Sequence, residues 1–351
     1  MISAWATISE RVLELELDEV VEGVFELQLP IPFENGRVNV FIFRDGRELD
    51  LLDCGMNSEG SLSTLRAALG HVGGEGWRLR RLLVTHIHPD HYGAAGVICG
   101  ELGAQLYLHR LEVPMVNPRY LELEQLVAEV GRHLQVNGVP EEEAETQRNA
   151  SRAMRDFVVP APVSVQLDGA ETVPMGKRRL RVEWTPGHSP GHLCLYDLDG
   201  RVLFAGDQLL PDISPNVGLH PQSTPNPLDD FVASLARLAA LDPALVLPAH
   251  GRPYQDAAGR ALYLEEHHRR RKDQILEITS GREMTAWEVA LKVWGERRHV
   301  YERRLALQEG LAHLQSLAVE GRLEKLATSE RVTWRPAPHP HPRPARAGGR
   351  G

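Results

Sequence analysis

Apolar and polar residues alternate along two segments near the start of the chain, as they do in half-buried β-strands. These segments are Val12–Leu17 and Val24–Leu29. Two further strand-like segments, Arg37–Phe43 and Glu48–Asp53, are joined by a turn that contains the dipeptide Asp-Gly. This dipeptide favours a β-hairpin. The first part of the chain is therefore predicted to form a sheet.

Helical spacing replaces this alternation in an insertion of residues 118–158. Apolar residues recur at helical spacing over Leu123–Leu134, and a second helix is predicted from Glu141 to Phe157. Two interpretations remain open for the insertion. It is either a peripheral helical pair or a lid that shapes a substrate pocket.

The C-terminal part of the chain has a different pattern. It predicts three helices and then a β-hairpin, over Ala261–Ile278, Thr285–Ala290, Leu305–Val319, Arg322–Leu326 and Arg331–Trp334. Thr285 is the expected N-cap of the second helix. The pattern divides the chain into a large domain of residues 1–260 and a small domain of residues 261–335. Residues 336–351 are rich in Pro, Arg, His and Gly and are predicted to be disordered.

The clearest candidate chemistry lies in the six residues His86-Ile87-His88-Pro89-Asp90-His91, directly after the apolar run Leu82–Val84. Neutral imidazole and carboxylate groups are the usual ligands of zinc-like ions. These residues therefore suggest a metal site. On the six residues alone, the alternative is a solvent-exposed cluster without function.

Further ligand candidates also follow apolar, strand-like segments. His188 lies in Thr-Pro-Gly-His, Asp207 in Ala-Gly-Asp and His250 in Pro-Ala-His-Gly, and Asp53 has the same context. Rigid strands aim short loops at one edge of a layered α/β fold. We therefore expect these side chains to gather with the first cluster.

The segments THIHPDH, TPGHSPGH, FAGD and PAHG resemble, in this order, the metallo-β-lactamase superfamily, over roughly residues 20 to 260. The resemblance implies an α/β fold, an αββα sandwich with a dinuclear metal centre along one edge. It also implies ligand roles: His86, His88 and His188 would hold the first ion, Asp90, His91 and His250 the second, and Asp207 would bridge both. Asp53 would orient one ligand through a hydrogen bond.

The helices and hairpin of residues 261–335 resemble the small winged-helix domain that some metallo-β-lactamase-fold proteins carry. An endoribonuclease family is among those proteins. This likeness adds RNA to the partners under consideration. A dimerisation module is a further alternative for this domain and is compatible with either activity, which adds a homo-oligomer to the alternatives.

Composition limits the class of protein. Hydrophobic residues make up 42% of the chain and charged residues 25%, as in soluble globular proteins. No apolar stretch has the length of a membrane span, and Met1–Trp5 does not begin a secretory signal. Cys54, Cys99 and Cys194 have unrelated spacing and predict no disulfide framework. A cytoplasmic protein without membrane contact is expected.

Two divalent ions activate a bound water for attack, so hydrolysis is the expected reaction. The first hypothesis is a hydrolase similar to hydroxyacylglutathione hydrolases, in which a metal-bridging hydroxide attacks a small ester, thioester or lactone. Zinc is the first choice of metal, with manganese and iron as alternatives. Some antibiotic-degrading relatives have Cys where this chain has Asp207, which disfavours a typical penicillin hydrolase. Asp90 and His220 are the candidate catalytic residues. His220, or Asn216 in the same loop, could hydrogen-bond a substrate oxygen.

The second hypothesis is a metal-dependent endoribonuclease or phosphodiesterase. Arg269–Lys272 could contact RNA phosphates. However, residues 273–335 carry ten basic and ten acidic side chains, a balance that argues against a strongly basic RNA-binding surface. The small-molecule hydrolase is therefore preferred.

Overall fold

The computed structural model describes residues 15–32, 36–297 and 299–338. The strands of these residues form two large sheets and one hairpin. The first sheet has seven strands in chain order: β1 (Leu17–Val21), β2 (Val24–Pro30), β3 (Arg37–Asp45), β4 (Glu48–Leu52), β5 (Arg78–Leu83), β6 (Gln105–His109) and β7 (Val165–Leu167). Strands β1 to β4 pair antiparallel, whereas β4 to β7 pair parallel.

The second sheet has five strands: β8 (Thr172–Met175), β9 (Arg178–Trp184), β10 (Leu193–Asp197), β11 (Val202–Gly206) and β12 (Leu245–Pro248). Their spatial order is β12-β11-β10-β9-β8, and only the β11–β12 pair is parallel. The C-terminal hairpin consists of β13 (Leu323–Ala327) and β14 (Val332–Pro336).

The α-helices of the described residues are α1 (Glu59–Gly73), α2 (Pro89–Tyr92), α3 (Ala95–Leu102), α4 (Val113–Val116), α5 (Leu123–Val136), α6 (Glu141–Met154), α7 (Pro227–Ala240), α8 (Ala257–Thr279), α9 (Ala286–Trp294) and α10 (Val300–Val319). A π-helical turn, Asn117–Leu121, precedes α5, and a 3₁₀ turn, Arg155–Phe157, follows α6.

Three apolar clusters define four layers. Between the sheets, Phe41 of β3 and Phe204 of β11 meet edge to face, with ring centroids 5.2 Å apart. The outer face of the first sheet packs on α1 and α3 through side chains such as Leu69 and Ile98. The outer face of the second sheet packs on α7 through Phe231. The expected αββα sandwich is confirmed, since helices cover both outer faces of two packed sheets.

A fourth apolar cluster joins the insertion to the C-terminal helices. Leu134 of α5 and Ala144 of α6 are buried in it together with Leu311 of α10 and Trp334 of β14. The insertion and the C-terminal elements therefore share one core, although about 100 residues separate them in the sequence.

Several local predictions are confirmed. Strands β3 and β4 form the expected hairpin, with Gly46 at φ +61° in the turn, a conformation that favours glycine. Thr285 caps α9, and its hydroxyl accepts from the Glu288 amide in a reciprocal capping box. The insertion and the C-terminal segment contain the predicted helices, and the C-terminal hairpin is present.

Other predictions miss the observed boundaries. The first predicted strand, Val12–Leu17, is not where β1 lies, because β1 begins at Leu17 and residues 12–14 are outside the described part. Helix α8 begins at Ala257 because the Asp256 carboxylate caps the Gly259 amide at 2.8 Å, a start signal that periodicity alone did not reveal. Most of the predicted disordered tail, residues 339–351, also lies outside the described residues.

Candidate metal centre

The loops that follow β5 and β9 bring three histidines together at one edge of the sandwich. His86 Nε2 lies 2.9 Å from His88 Nδ1 and 3.1 Å from His188 Nε2, and His88 Nδ1 lies 2.9 Å from His188 Nε2. Three imidazole nitrogens thus converge on one point.

The hydrogen bonds of the other ring nitrogens identify which nitrogens carry protons. His188 Nδ1 donates to the Asn216 carbonyl at 2.8 Å. The Thr85 hydroxyl donates to the Asp53 carboxylate at 2.9 Å and so accepts from His86 Nδ1 at 3.1 Å. The Nε2 atoms of His86 and His188 therefore both lack a proton, and their lone pairs face each other at 3.1 Å. A cation between them would remove this repulsion, which is a specific fit to a bound metal ion.

A second group lies beside the first. His250 Nε2 is 3.3 Å and His91 Nε2 is 3.6 Å from Asp90 Oδ2. His250 Nδ1 donates to the Arg37 carbonyl at 2.7 Å, and His91 Nδ1 donates to Asp53 at 2.8 Å. The Nε2 atoms of both histidines are therefore free to bind a cation together with the Asp90 carboxylate.

Asp207 stands between the two groups. Its Oδ1 is 3.4 Å from the Nε2 atoms of His91 and His250, and its Oδ2 is 3.4 Å from His188 Nε2. His91 Nε2 and Asp207 Oδ1 are both buried without a hydrogen-bond partner among the described residues. Buried polar atoms are rarely left unpaired, so these two also fit coordination of an ion.

All seven predicted ligands thus converge, and the set contains only imidazole nitrogen and carboxylate oxygen. They are His86, His88, Asp90, His91, His188, Asp207 and His250. Such donors suit divalent ions of intermediate or hard character. They fall into two groups, with Asp207 between them.

Burial and charge set the protonation of these rings. Burial lowers the pKa of His86 and His88 well below the ordinary value, which favours the neutral ligand form. Burial also lowers the pKa of His91, but the carboxylates of Asp90, Asp207 and Asp53 outweigh it and raise the pKa. The anionic surroundings of His91 therefore favour a positive charge at this position, either a proton or a metal ion.

Asp53 occupies the position that the resemblance implies. It follows β4, is buried, and accepts from the Thr85 amide at 2.7 Å as well as from His91. Its backbone has φ +59°, a left-handed conformation that Asp and Asn tolerate better than most residues. The site therefore constrains both the backbone and the carboxylate of Asp53.

Glu112 is a site residue that the sequence pattern missed. This fully buried carboxylate accepts from the Ile87 amide at 3.0 Å, the Ser189 hydroxyl at 2.9 Å and the Gly191 amide at 2.7 Å. It thereby joins the loop of His86 and His88 to the loop of His188. Only its position shortly after β6 gave a signal in the sequence.

His192 is not one of the candidate ligands, and its ring contacts one backbone amide and one side chain of the site. Its Nε2 accepts from the Asp207 amide at 3.0 Å, and its Nδ1 lies 2.8 Å from the Thr185 hydroxyl. His192 is fully buried and fixes the start of the Asp207 loop.

His220 and Asn216, the two candidates for contacting substrate, differ in position. The backbone carbonyl of Asn216 orients His188. His220 Nδ1 accepts from the Gln222 amide at 3.2 Å, which leaves the ring proton on Nε2. Burial, together with the nearby charges of Arg119 and Arg304, lowers the pKa of His220 well below its usual range. His220 is therefore a neutral N–H donor.

Among the described residues, no helix is long and apolar enough to cross a membrane. Cys54, Cys99 and Cys194 form no disulfide.

Comparison with known proteins identifies the family. The model of the metallo-beta-lactamase superfamily matches residues 34–250, and the chain belongs to this superfamily. A probable metallo-hydrolase of Bacillus subtilis, YqjP, is 27% identical over 311 residues, which cover 85% of this chain and 93% of the relative. The acyl-coenzyme A thioesterase MBLAC2 of Gallus gallus is 29% identical over 236 residues, 65% of this chain and 77% of the relative.

A solved structure resembles nearly the whole chain. It is a metallo-beta-lactamase family protein from Thermus thermophilus, TTHA1429, with 33% identity and a TM-score of 0.79. The alignment covers 90% of this chain and 99% of that protein. The similarity therefore extends beyond the residues that the family model matches and includes most of the C-terminal elements.

Proposed function

We propose that the protein is a dinuclear metal-dependent hydrolase that cleaves a small thioester, ester or lactone. The observation that carries the proposal is the position of Asp207. Its two carboxylate oxygens face separate groups of histidines, one through His188 and the other through His91 and His250. This arrangement suits two ions that share one carboxylate.

In this proposal His86, His88 and His188 would hold the first ion, Asp90, His91 and His250 would hold the second, and Asp207 would serve both. When bound, such ions lower the pKa of a coordinated water and polarise the bond to be cleaved. Zinc, manganese or iron suits the nitrogen and oxygen donors.

The protein's own groups would orient the reactants. Asp53 keeps the His91 ring in the tautomer whose Nε2 is unprotonated. Asp90, bound beside the attacking water, would position it. The Nε2–H group of His220 would donate to the substrate oxygen on which negative charge develops.

Thioesters are the first substrate class to test. One relative is named as an acyl-coenzyme A thioesterase, and it aligns with 65% of this chain. The insertion contacts the loop of His86 and His88, since the Tyr120 hydroxyl of its π-helical turn donates to the Ile87 carbonyl at 2.5 Å. We propose that residues 118–158 form one wall of a substrate pocket beside the centre.

The endoribonuclease alternative is less well supported. Two arginines of the basic run, Arg269 and Arg270, both pair with Glu266, at 2.6 and 2.9 Å. Exposed ion pairs of this kind neutralise a helix surface that would otherwise attract phosphates.

The test is a panel assay on metal-loaded protein with thioesters, esters, lactones, phosphodiesters and single-stranded RNA. We expect turnover in one of the first three classes and about two bound ions per chain by elemental mass spectrometry. Asp207→Asn should lose turnover and bound metal, while His71→Ala, at an exposed helix position, should lose neither. RNA cleavage that Asp207→Asn abolishes, without turnover of a small substrate, would reject the proposal in favour of the nuclease.

A further inference from the structure

Two half-buried arginines near the candidate metal centre have no carboxylate partner. Arg119 lies in the π-helical turn of the insertion, and its Nε donates to Gln222 Oε1 at 3.0 Å. Arg304 lies near the start of α10, and its Nη1 donates to the Ser151 hydroxyl of α6 at 2.5 Å. Neither guanidinium forms an ion pair with any carboxylate of the described residues, and each has only neutral hydrogen-bond partners.

Other arginines of α6 and α10 have carboxylate partners. Arg303 pairs with Glu143 at 2.9 Å, Arg148 pairs with Glu141 at 2.7 Å, and Arg152 pairs with Glu124 at 2.9 Å. The insertion thus supplies carboxylates to other arginines but not to Arg119 or Arg304. A guanidinium that is removed from water without a counter-charge costs free energy, so the pair is a site that an anion would stabilise.

Arg119 lies beside the candidate metal ligands. Tyr120, next to Arg119, bonds to Ile87, which lies between His86 and His88. On the other side, Gln222 joins Arg119 to the loop that contains Asn216, whose carbonyl holds His188. Arg119 is therefore fixed between the loop of His86 and His88 and the loop whose backbone orients His188.

Arg304 lies in the same region, because the Leu219 amide, next to His220, donates to the carbonyl of Gln308 at 3.0 Å, one turn after Arg304 in α10. Burial lowers the pKa of Arg304 to about 10, and the charge of Arg119 contributes in the same direction. His220 lies within range of both guanidinium groups and of His188, since all three lower its pKa in addition to burial. Arg119, Arg304 and His220 therefore lie near one another and near the candidate ligand His188.

We propose that Arg119 and Arg304 form an oxyanion-binding subsite that holds a carboxylate or phosphate group of the substrate while its scissile bond lies at the metal centre. Guanidinium groups bind both oxyanions through paired hydrogen bonds. The subsite selects for substrates with a remote negative charge. This inference rests on the proposed function for the reaction, but the binding of an anion can be measured separately.

The kinetic test uses two thioesters of succinate that differ only in the remote group, one with a free carboxylate and one with a carboxamide. In the metal-loaded full chain, Arg119→Met and Arg304→Met should each raise KM for the carboxylate about tenfold, with little change in kcat. KM for the carboxamide should change less than about twofold. Arg304→Lys should raise KM for the carboxylate thioester less than Arg304→Met does, because lysine keeps the positive charge but cannot form the paired hydrogen bonds.

Arg303→Gln is the matched control, because it removes a charge from the same helix at a residue that already has a carboxylate partner. It should affect thermal stability and leave the ratio of the two KM values unchanged. An equal change in that ratio for Arg303→Gln and Arg304→Met would overturn the proposal. So would an equal rise in KM for both thioesters in Arg119→Met and Arg304→Met.

Calorimetric titration of the same proteins with succinate and with inorganic phosphate gives a readout that does not depend on turnover. The ion that binds the wild type more tightly identifies the source of the oxyanion, and Arg119→Met and Arg304→Met should weaken that binding about tenfold. Binding lost in these variants, without hydrolysis of any probe, would reject the hydrolase and retain the subsite. Equal affinity in the wild type and both variants, or no binding of either ion, would reject the subsite.

Discussion

Asp53 Oδ2 accepts a hydrogen bond from His91 Nδ1 at 2.8 Å, and both side chains are buried. This bond fixes the His91 ring and leaves its Nε2 facing Asp90 and Asp207. The carboxylate and the imidazole therefore act as one unit that prepares a lone pair for a cation.

Replacement of Asp53 by Asn should weaken metal binding without unfolding the protein. Asn tolerates the left-handed backbone at φ +59° but carries less negative charge toward His91. We expect a loss of about 10–100-fold in metal affinity, measured by competition with a chromophoric chelator. Asp199→Asn, at an exposed position, is the control and should bind metal as the wild type does. Unchanged affinity in Asp53→Asn would show that the hydrogen bond does not tune the ligand.

Substitution of Gly206 tests how closely the backbone must approach His192. Gly206 has φ +50°, and a Cβ atom there would lie 2.6 Å from His192 Nε2, the atom that accepts from the Asp207 amide. Gly206→Ala should therefore displace the Asp207 loop, lower bound metal and reduce the unfolding free energy by roughly 2–3 kcal/mol. Bound metal is measured by elemental mass spectrometry and stability by urea unfolding.

Gly46→Ala provides the matched control for this effect. Gly46 has φ +61°, but a Cβ atom there meets no atom within 4 Å. The Gly46→Ala variant should show the cost of backbone strain alone, about 1 kcal/mol of unfolding free energy, and should keep its full metal content. If the two variants lose the same amount of metal and stability, contact with His192 is not the cause.

The sequence allowed much of the site to be predicted, because the candidate ligands lie in short loops after strands or in the short helix α2 that follows β5. His188, Asp207 and His250 could be recognised from short loops after apolar segments, and these loops do meet at one edge. Glu112 could not be predicted in the same way, because its role depends on the loops that lie beside it after folding. Arg119 and Arg304 belong to distant segments, and only the shared core of the insertion and α10 brings them together.

Glu309 should make stability depend on pH. Burial raises the pKa of this carboxyl from 4.5 to about 7, although Arg271 opposes the shift, and His267 and His268 of α8 also lie close to it. Between about pH 4.5 and pH 7 the folded state keeps a proton that the unfolded state releases. The unfolding free energy therefore falls as pH rises through this window and levels off above it.

Glu309→Gln should remove this dependence, because the amide does not titrate. The variant should be more stable than the wild type by up to about 3 kcal/mol at pH 8 and similar to it at pH 4.5. Urea unfolding at both pH values measures the difference. An equal gain at both values would point to packing and not to proton binding.

Glu112→Gln should weaken the connection between the two histidine loops. The carboxylate accepts three hydrogen bonds, from the Ile87 and Gly191 amides and the Ser189 hydroxyl. An amide presents an NH₂ group where the site requires an acceptor, so one donor is left without a partner. We expect a loss of about 2–4 kcal/mol in stability and faster release of metal to a chelator, because His86, His88 and His188 are held less firmly.

Glu101→Gln, whose only described contact is the surface pair with Arg66, should change stability by less than about 1 kcal/mol and leave the release rate unchanged. Metal release at the wild-type rate from a destabilised Glu112→Gln protein would separate the structural role of this residue from any effect on the metal centre.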